Sequence, residues 1–275
     1  VPGLWRHKGI EETMLLAIDG GNTNIVFGLR QAEDDYLTWR MATSSATTAD
    51  DYAAWLSFHL GNHGYTLNDI SGVIISTVVP DTLPALKRFA DRYLPDPRYV
   101  LMGDDLSHGV AISIDKPEQA GADRLANTAA AAHYYPRPAI VIDFGTATTF
   151  DYISEVGAYC GGVISPGVNL SVGALYQAAA RLPLIDPKHW HSDMAVIGKS
   201  TIEAMNSGLF FGYASLVEGI VARMKADIPG DQVTVLATGG LGQLFAEAIS
   251  VIDYYDANLT LKGLAIIFEN QQDHS

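Results

Sequence analysis

Two stretches of this chain repeat one phrase. Ile18 to Gly28 reads Ile-Asp-Gly-Gly-Asn-Thr-Asn-Ile-Val-Phe-Gly, and Ile142 to Asp151 reads Ile-Asp-Phe-Gly-Thr-Ala-Thr-Thr-Phe-Asp. In each copy an apolar run (Leu15 to Ile18; Ile140 to Ile142) carries one aspartate into a turn of glycine and threonine, and a second apolar stretch leads the chain away. A strand-turn-strand unit that occurs once per half is an internal duplication, and it favours two domains of like plan over one undivided core. A lone Asp-x-Gly turn is ordinary at a strand end, so the recurrence is what singles this one out.

The turns have the composition of a nucleotide-phosphate clamp. Gly20, Gly21 and Gly145 have no side chain to hold a ligand off the backbone, so successive N–H groups can face phosphate oxygens. Thr23, Thr146, Thr148 and Thr149 add hydroxyl donors. Asp19 and Asp143 cannot touch phosphate directly, because like charges repel, and each is expected to act through a cation. Magnesium suits that role, since it is readily shared between carboxylate and phosphate oxygens.

Of the 275 residues 48% are apolar, enough for one large core or two ordinary domains. Cys160 is the only cysteine, which excludes an intramolecular disulfide and thiol-rich metal sites. No apolar run reaches the length of a membrane span, and residues 1–13 lack the apolar middle of a signal peptide; a soluble, cytoplasmic protein is expected, with no membrane partner. The formal charge of −14, with no run of Lys and Arg, argues against nucleic acid as a partner. It leaves room for a nucleotide whose charge is met by bound cations and backbone dipoles, in keeping with turns that contain no lysine.

Along the chain the periodicities alternate between strand and helix, which predicts a mixed α/β layer fold. Residues 1–13 read as a tail, 14–135 as an N-terminal domain and 136–275 as a C-terminal one, hinged near His133 to Pro138. After the first copy come a strand from Tyr36 to Met41 and a helix capped by Thr48 that runs to Gly61. Next are a buried strand from Gly72 to Val79, a helix from Pro80 to Tyr93 and a short strand from Tyr99 to Met102. The second half repeats the plan: strands at Ala139 to Asp143, Thr149 to Ile153 and Gly161 to Pro166, then a helix from Asn169 through Ala180. A helix from Thr201 to Lys225, with a break expected at Gly212, a strand from Val233 to Thr238 and a closing helix from Leu261 to Glu269 complete it.

Four motifs together resemble the acetate and sugar kinase/actin superfamily and, within it, the type III pantothenate kinases. They are Asp19-Gly-Gly-Asn-Thr-Asn-Ile-Val26, Gly121-Ala-Asp-Arg124, Asp143-Phe-Gly-Thr-Ala-Thr-Thr149 and Gly161-Gly-Val-Ile-Ser-Pro-Gly167. Gly198-Lys-Ser-Thr201 and Thr238-Gly-Gly-Leu-Gly242 follow in the expected order. The resemblance implies two duplicated RNase H-like, actin-like domains, each a mixed five-stranded type of sheet with flanking helices, and an ATP cleft between them. It implies ATP-dependent phosphorylation of pantothenate to 4′-phosphopantothenate, the first step towards coenzyme A. Asp19, Gly20, Gly21, Asn22, Thr23, Asn24, Ile25 and Val26 would form the first ATP-phosphate loop, and Thr146 would contact ATP from the second. Asp19 would act on the nucleotide through magnesium. Asp143 would ligate a monovalent cation, potassium or ammonium. Gly121, Ala122, Asp123 and Arg124 would bind pantothenate, Asp123 as acceptor of the hydroxyl proton, with Thr201 a further contact. The resemblance also implies a homodimer. Asp123 itself, a carboxylate at a helix start, is suited to orient a primary alcohol for in-line attack, and Arg124 suits an anionic substrate. One departure stands out: family members often place Tyr-Asp-Asn-Pro before the Gly-Ala-Asp-Arg element, whereas this chain has Ile114-Asp115-Lys116-Pro117.

Other readings compete. A sugar or acetate kinase of the superfamily would lack Gly121-Ala-Asp-Arg124, and a transcriptional accessory factor would need neither Asp123 nor both turns. Gly198-Lys199-Ser200 looks like the end of a P-loop, but Asp193 stands where that motif needs glycine. His189, His191 and Asp193 read as a solvated loop rather than a zinc site, and Tyr134, Tyr135 and Tyr213 as packing aromatics.

Overall fold

The computed structural model describes residues 14–32, 35–95, 98–101, 109–178, 182–230 and 232–271. The chain divides into two compact units, Val1–Asp104 and Asp105–Ser275. The expected tail, residues 1–13, lies outside the described residues, as do Met102 and Ala180.

The first unit is a five-stranded sheet of β1 (Leu15–Gly20), β2 (Asn24–Ala32), β3 (Asp35–Ala42), β4 (Gly72–Thr77) and β5 (Arg98–Leu101), with helices α1 (Ala49–Gly61) and α2 (Leu83–Tyr93). Its strand order is β3-β2-β1-β4-β5; β1 is antiparallel to β2 and parallel to β4. Leu16 and Ile18 of β1 join Phe27, Leu29, Val73 and Ile75 in a core closed by Tyr52 and Leu56 of α1 and Leu86 and Phe89 of α2. Thr48 begins α1 as expected: its hydroxyl accepts from the Asp51 amide at 3.2 Å, and Asp51 Oδ2 accepts from the Thr48 amide at 2.9 Å. The expected strand to Val79 stops at Thr77, whose side chain turns the chain by donating to the Val79 carbonyl and accepting from its amide. Pro80 opens a single 3-10 turn, Pro80–Thr82, before α2 begins.

The second unit repeats the plan. Its strands are β6 (Ala139–Phe144), β7 (Ala147–Ile153), β8 (Tyr159–Pro166), β9 (Thr234–Gly239) and β10 (Tyr254–Tyr255). Their order, β10-β9-β6-β7-β8, is the first sheet's order with β6 in the place of β1. Its helices are α3 (Ala122–Tyr134), α4 (Val168–Ala178), α5 (Thr201–Asp227), α6 (Gly242–Ala248) and α7 (Leu259–Asn270). Strand alternation sends Ile140, Ile142 and Phe144 of β6 into a core with Phe210, Tyr213 and Val217 of α5 and Phe245 of α6. Ala139 and Val141 face the other way and pack with Ala130 and Ala131 of α3 and Leu259 of α7.

The dividing point differs from the expected 135/136. Helix α3 belongs with the second sheet, because it lies so close to α7 that a Cβ on Gly263 would fall 1.8 Å from the Ala126 carbonyl oxygen. The break expected at Gly212 does not occur: α5 runs unbroken for 27 residues, since its burial against the sheet outweighs the roughly 1 kcal/mol that a helical glycine costs.

Candidate active site

The turn after β6 sits at the carboxyl end of a strand flanked by a parallel neighbour, β9, where ligands of α/β sheets bind. Asp143 is the last β6 residue but one; its neighbours across the ladders are Thr149 on β7 and Thr238 on β9. It points to the α3 side of the sheet, and Asn127 Nδ2 of α3 donates to its Oδ2 at 3.2 Å. The Asn127 amide is oriented in turn by Thr260 of α7, whose hydroxyl donates to Asn127 Oδ1 at 2.8 Å. Gly239 has φ +89°, and a Cβ there would lie 2.7 Å from Asp143 Oδ1, so only glycine leaves room for this carboxylate. Likewise a Cβ on Gly167 would meet the Thr146 carbonyl at 2.2 Å. The Gly-rich segments after β8 and β9 thus close around the second turn, in which Gly145 and Thr146 are exposed.

Helix α3 starts at this site. Gly121 is its N-cap, and Asp123 in the first turn accepts from the Arg124 amide at 2.9 Å, an arrangement favoured by the helix dipole. A Cβ on Gly121 would come within 2.5 Å of Asp123 Oδ1. The Arg124 side chain leaves the helix for the sheet: Nε and Nη2 meet Asp151 Oδ1 at 2.6 and 2.5 Å. Asp151 is fully buried and also accepts from Thr149 Oγ1 at 3.0 Å. The guanidinium lies over the Tyr159 ring, 5.3 Å from its centroid. A cavity of about 390 Å³ opens alongside, lined by Ile114, Asp115, Lys116, Gln119 and Gly161.

This cluster has three carboxylates, Asp123, Asp143 and Asp151, and one guanidinium, and burial dominates its titration. Burial, reinforced by the charge of Asp123, pushes the Asp143 carboxyl up to about 6 against the opposing bond from Asn127. Burial also raises Asp151, with Arg124 opposing. Arginine stays charged at any working pH, so Arg124 and Asp151 form an ion pair. Burial pushes the Tyr159 hydroxyl up to about 12.

In the first unit Asp19 occupies on β1 the place of Asp143 on β6, with Val26 and Ser76 opposite it. The turn is tightly closed: the Gly21 amide donates to the Asn24 carbonyl at 3.0 Å, and Thr43 Oγ1 donates to the Gly21 carbonyl at 2.6 Å. The Gly21 N–H is therefore committed within the turn rather than turned outward. Gly20 has a packing reason as well, since a Cβ there would lie 2.5 Å from Thr77 Oγ1. Asn22, Thr23 and Asn24 are exposed at the tip, while the Ile25 side chain is in the core and can offer a ligand only its backbone.

Thr201 stands exposed as the first residue of α5. The preceding Gly198-Lys199-Ser200 is a helix entry: Ser200 Oγ accepts from the Glu203 amide at 3.2 Å, and Glu203 accepts from the Lys199 amide at 2.7 Å. Tyr213 is a packing aromatic whose hydroxyl bonds Thr148 and the Pro166 carbonyl. Among the described residues no group of three or more His, Cys, Asp or Glu side chains is disposed to hold a metal ion, His189, His191 and Asp193 included.

Two site residues were not singled out from sequence, and each carried a signal. Asp151 is a charged residue two places from Thr149 on an otherwise buried strand, a position that demands a buried partner. Asn127 follows Asp123 by one helical turn in an alanine-rich helix, on the same face.

Two five-stranded sheets of matching order, each with a glycine-threonine turn after its central strand, define the actin-like α/β fold. In fold the chain is similar to a protein described as a Baf family transcriptional activator from Campylobacter jejuni (TM-score 0.57, 20% identity, 94% of this chain and 99% of that one). It is similar as well to the ADPNP-bound activator of 2-hydroxyisocaproyl-CoA dehydratase from Clostridium difficile (TM-score 0.56, 12% identity, 94% and 96%). The family model for type III pantothenate kinase matches residues 15–223. The type III pantothenate kinase of Zymomonas mobilis is 47% identical over 258 residues, covering 94% of this chain and 93% of the relative. That of Paramagnetospirillum magneticum is 49% identical over 254 residues, covering 91% and 95%. The chain belongs to the type III pantothenate kinase family.

Proposed function

We propose that this enzyme transfers the γ-phosphoryl group of ATP to the primary hydroxyl of pantothenate, with Asp123 as the group that accepts the hydroxyl proton. The observation that carries this reading is the position of Asp123: a partly exposed carboxylate in the first turn of α3, while the adjacent Arg124 guanidinium is drawn to Asp151. Asp123 is thereby left to orient an incoming alcohol. Gly121 and Ala122 form the backbone beside it, and the cavity lined by Ile114, Lys116 and Gln119 accommodates the rest of a small acid. Lys116 adds a cation to that wall. Thr201 is retained as a further acceptor contact.

For the nucleotide, the kinase family implies ATP with a divalent metal. The residues present fit that need: the exposed tip Asn22-Thr23-Asn24 and Thr146 offer phosphate donors, and Asp19 offers a carboxylate to magnesium. The backbone of Gly20, Gly21, Ile25 and Val26 shapes the first turn. A monovalent cation at Asp143 is in keeping with two further carboxylates, Asp123 and Asp151, against the one guanidinium of Arg124. When bound, such a cation supplies positive charge near the transferred phosphoryl group. The enzyme is read as a cytoplasmic homodimer, with α5 from Ser207 to Val221 at the subunit interface and with neither nucleic acid nor membrane as a partner.

The test is a coupled ADP-release assay with and without pantothenate. Release that depends on pantothenate supports the reading; release stimulated instead by a sugar or by acetate, or by none of them, overturns it.

A further inference from the structure

We propose that Asp151 is a positioning residue of the acceptor site, which anchors Arg124 so that its free edge meets the acceptor's carboxylate and its charge stays off Asp123. The inference deepens the reading of Asp123 and Arg124 given above and rests on it.

The geometry is that of a built mount. Arg124 is next to Asp123 in the chain and leaves α3 from the same turn, so the nearest carboxylate by sequence is the very one that must stay available as base. Its guanidinium instead spends Nε and Nη2 on one oxygen of Asp151, at 2.6 and 2.5 Å. Asp151 cannot move to meet it: its side chain is wholly buried, and Thr149 Oγ1 fixes its other oxygen at 3.0 Å. The platform beneath is shaped to match. Gly162 pairs with Asp151 across β7 and β8, on the same face, and a Cβ there would lie 3.0 Å from Arg124 Nη2 and 1.9 Å from the Phe150 carbonyl. Tyr159 supplies a ring under the guanidinium. With two of its nitrogens held, Arg124 presents Nη1, on the side away from Asp151, and only 15% of its side chain is accessible. A planar donor fixed in this way recognises a carboxylate by direction as well as by charge. Without Asp151 the same guanidinium would be free to fold onto Asp123 and neutralise the base.

The test is Asp151→Asn, which keeps shape and acceptor oxygen but removes the charge, compared with wild type on pantothenate and on pantothenol, in which an alcohol replaces the carboxylate. Loss of a charged hydrogen-bonded partner corresponds to about tenfold or more. We expect the KM for pantothenate to rise and kcat to fall, so that kcat/KM drops about tenfold or more, with the KM for ATP unchanged. We expect a smaller drop for pantothenol, which cannot use Arg124 in the same way. A folded variant within about threefold of wild type on pantothenate overturns the inference, and so does an equal loss on both acceptors with no change in either KM, the mark of a smaller active fraction. If Asp151→Asn does not fold, Thr149→Val, which removes the bond that orients Asp151, serves in its place, with the KM for ATP as the control for any effect at the turn. A selective rise in its KM for pantothenate supports the inference, and wild-type kinetics overturn it. Failure of the wild-type enzyme itself to phosphorylate pantothenate would overturn the functional reading instead.

Discussion

At the scale of single residues, the second unit gathers Asp123, Asp143 and Asp151 around the Arg124 guanidinium, and the roles proposed for them are separable by substitution. On the proposed mechanism Asp123→Asn should reduce turnover by roughly a hundredfold to ten-thousandfold, because the proposed proton acceptor is lost while both glycine-threonine turns remain. Nucleotide affinity, measured by titration calorimetry, should stay within about twofold of wild type, since Asp123 lies outside both turns. A mutant that keeps more than about a tenth of the rate would show that the proton leaves by another route. Asp143 makes a prediction with a definite sign. Its carboxyl is raised from an ordinary 3.8 to about 6 in the fold, so between those values the folded protein holds a proton that the unfolded chain has released. The associated stability is full below about pH 4 and is lost as pH rises through about 6. Asp143→Asn, which cannot ionise, should therefore be the more stable protein at pH 7 in buffer free of potassium and ammonium, by up to about 3 kcal/mol. Melting curves that run parallel for the two proteins across this range would refute the assignment.

At the scale of elements, the helix that carries Asp123 and Arg124 is held by close backbone approach rather than by large side chains. Helix α3 is rich in alanine, and Gly263 of α7 sits against the Ala126 carbonyl with no room for a methyl group. Gly263→Ala should force the two helices apart and cost about 1–3 kcal/mol or more, as overpacking does. It should also raise the KM for pantothenate, because α3 carries Asp123 and Arg124, the residues proposed to bind it. Gly173 of α4 has open space where a Cβ would go, so Gly173→Ala should instead stabilise by a few tenths to about 1 kcal/mol. Thermal melts of both variants check the pair, and equal effects would show that the α3–α7 contact does not limit stability. The same contact joins α3 to the second sheet. Counted along the chain, α3 precedes the second copy of the motif, whereas its alanine face and Asn127 match α7 and β6.

At the scale of the whole molecule, the excess of acidic groups in the second unit predicts a response to salt identity. Activity should rise when potassium or ammonium replaces sodium at constant ionic strength, and Asp143→Ala should flatten that response. Equal wild-type rates in sodium and potassium would remove the cation from the mechanism. Light scattering should report a dimer, and a fully active monomer would remove α5 from the interface. Neither outcome touches the family assignment, which rests on sequence matches over nearly the full chain.

The sequence by itself determined the duplication, the two aspartates at corresponding strand ends, the α/β class and the family. These are local or pairwise signals: a period of two, a glycine in a tight turn and a capping threonine are set by steric and hydrogen-bonding rules that act within a few residues. The equivalence of the two sheets, β3-β2-β1-β4-β5 and its counterpart β8-β7-β6-β9-β10, agrees with that duplication. The tertiary structure alone decided which sheet α3 joins, why Gly239, Gly162 and Gly167 are glycine, and which carboxylate holds Arg124. Asp123 is one residue from Arg124 and Asp151 is 27 away, yet the guanidinium goes to Asp151. Burial decides it: an aspartate on a closed strand must find a cation, while one in the first turn of a helix already has the backbone amides and water.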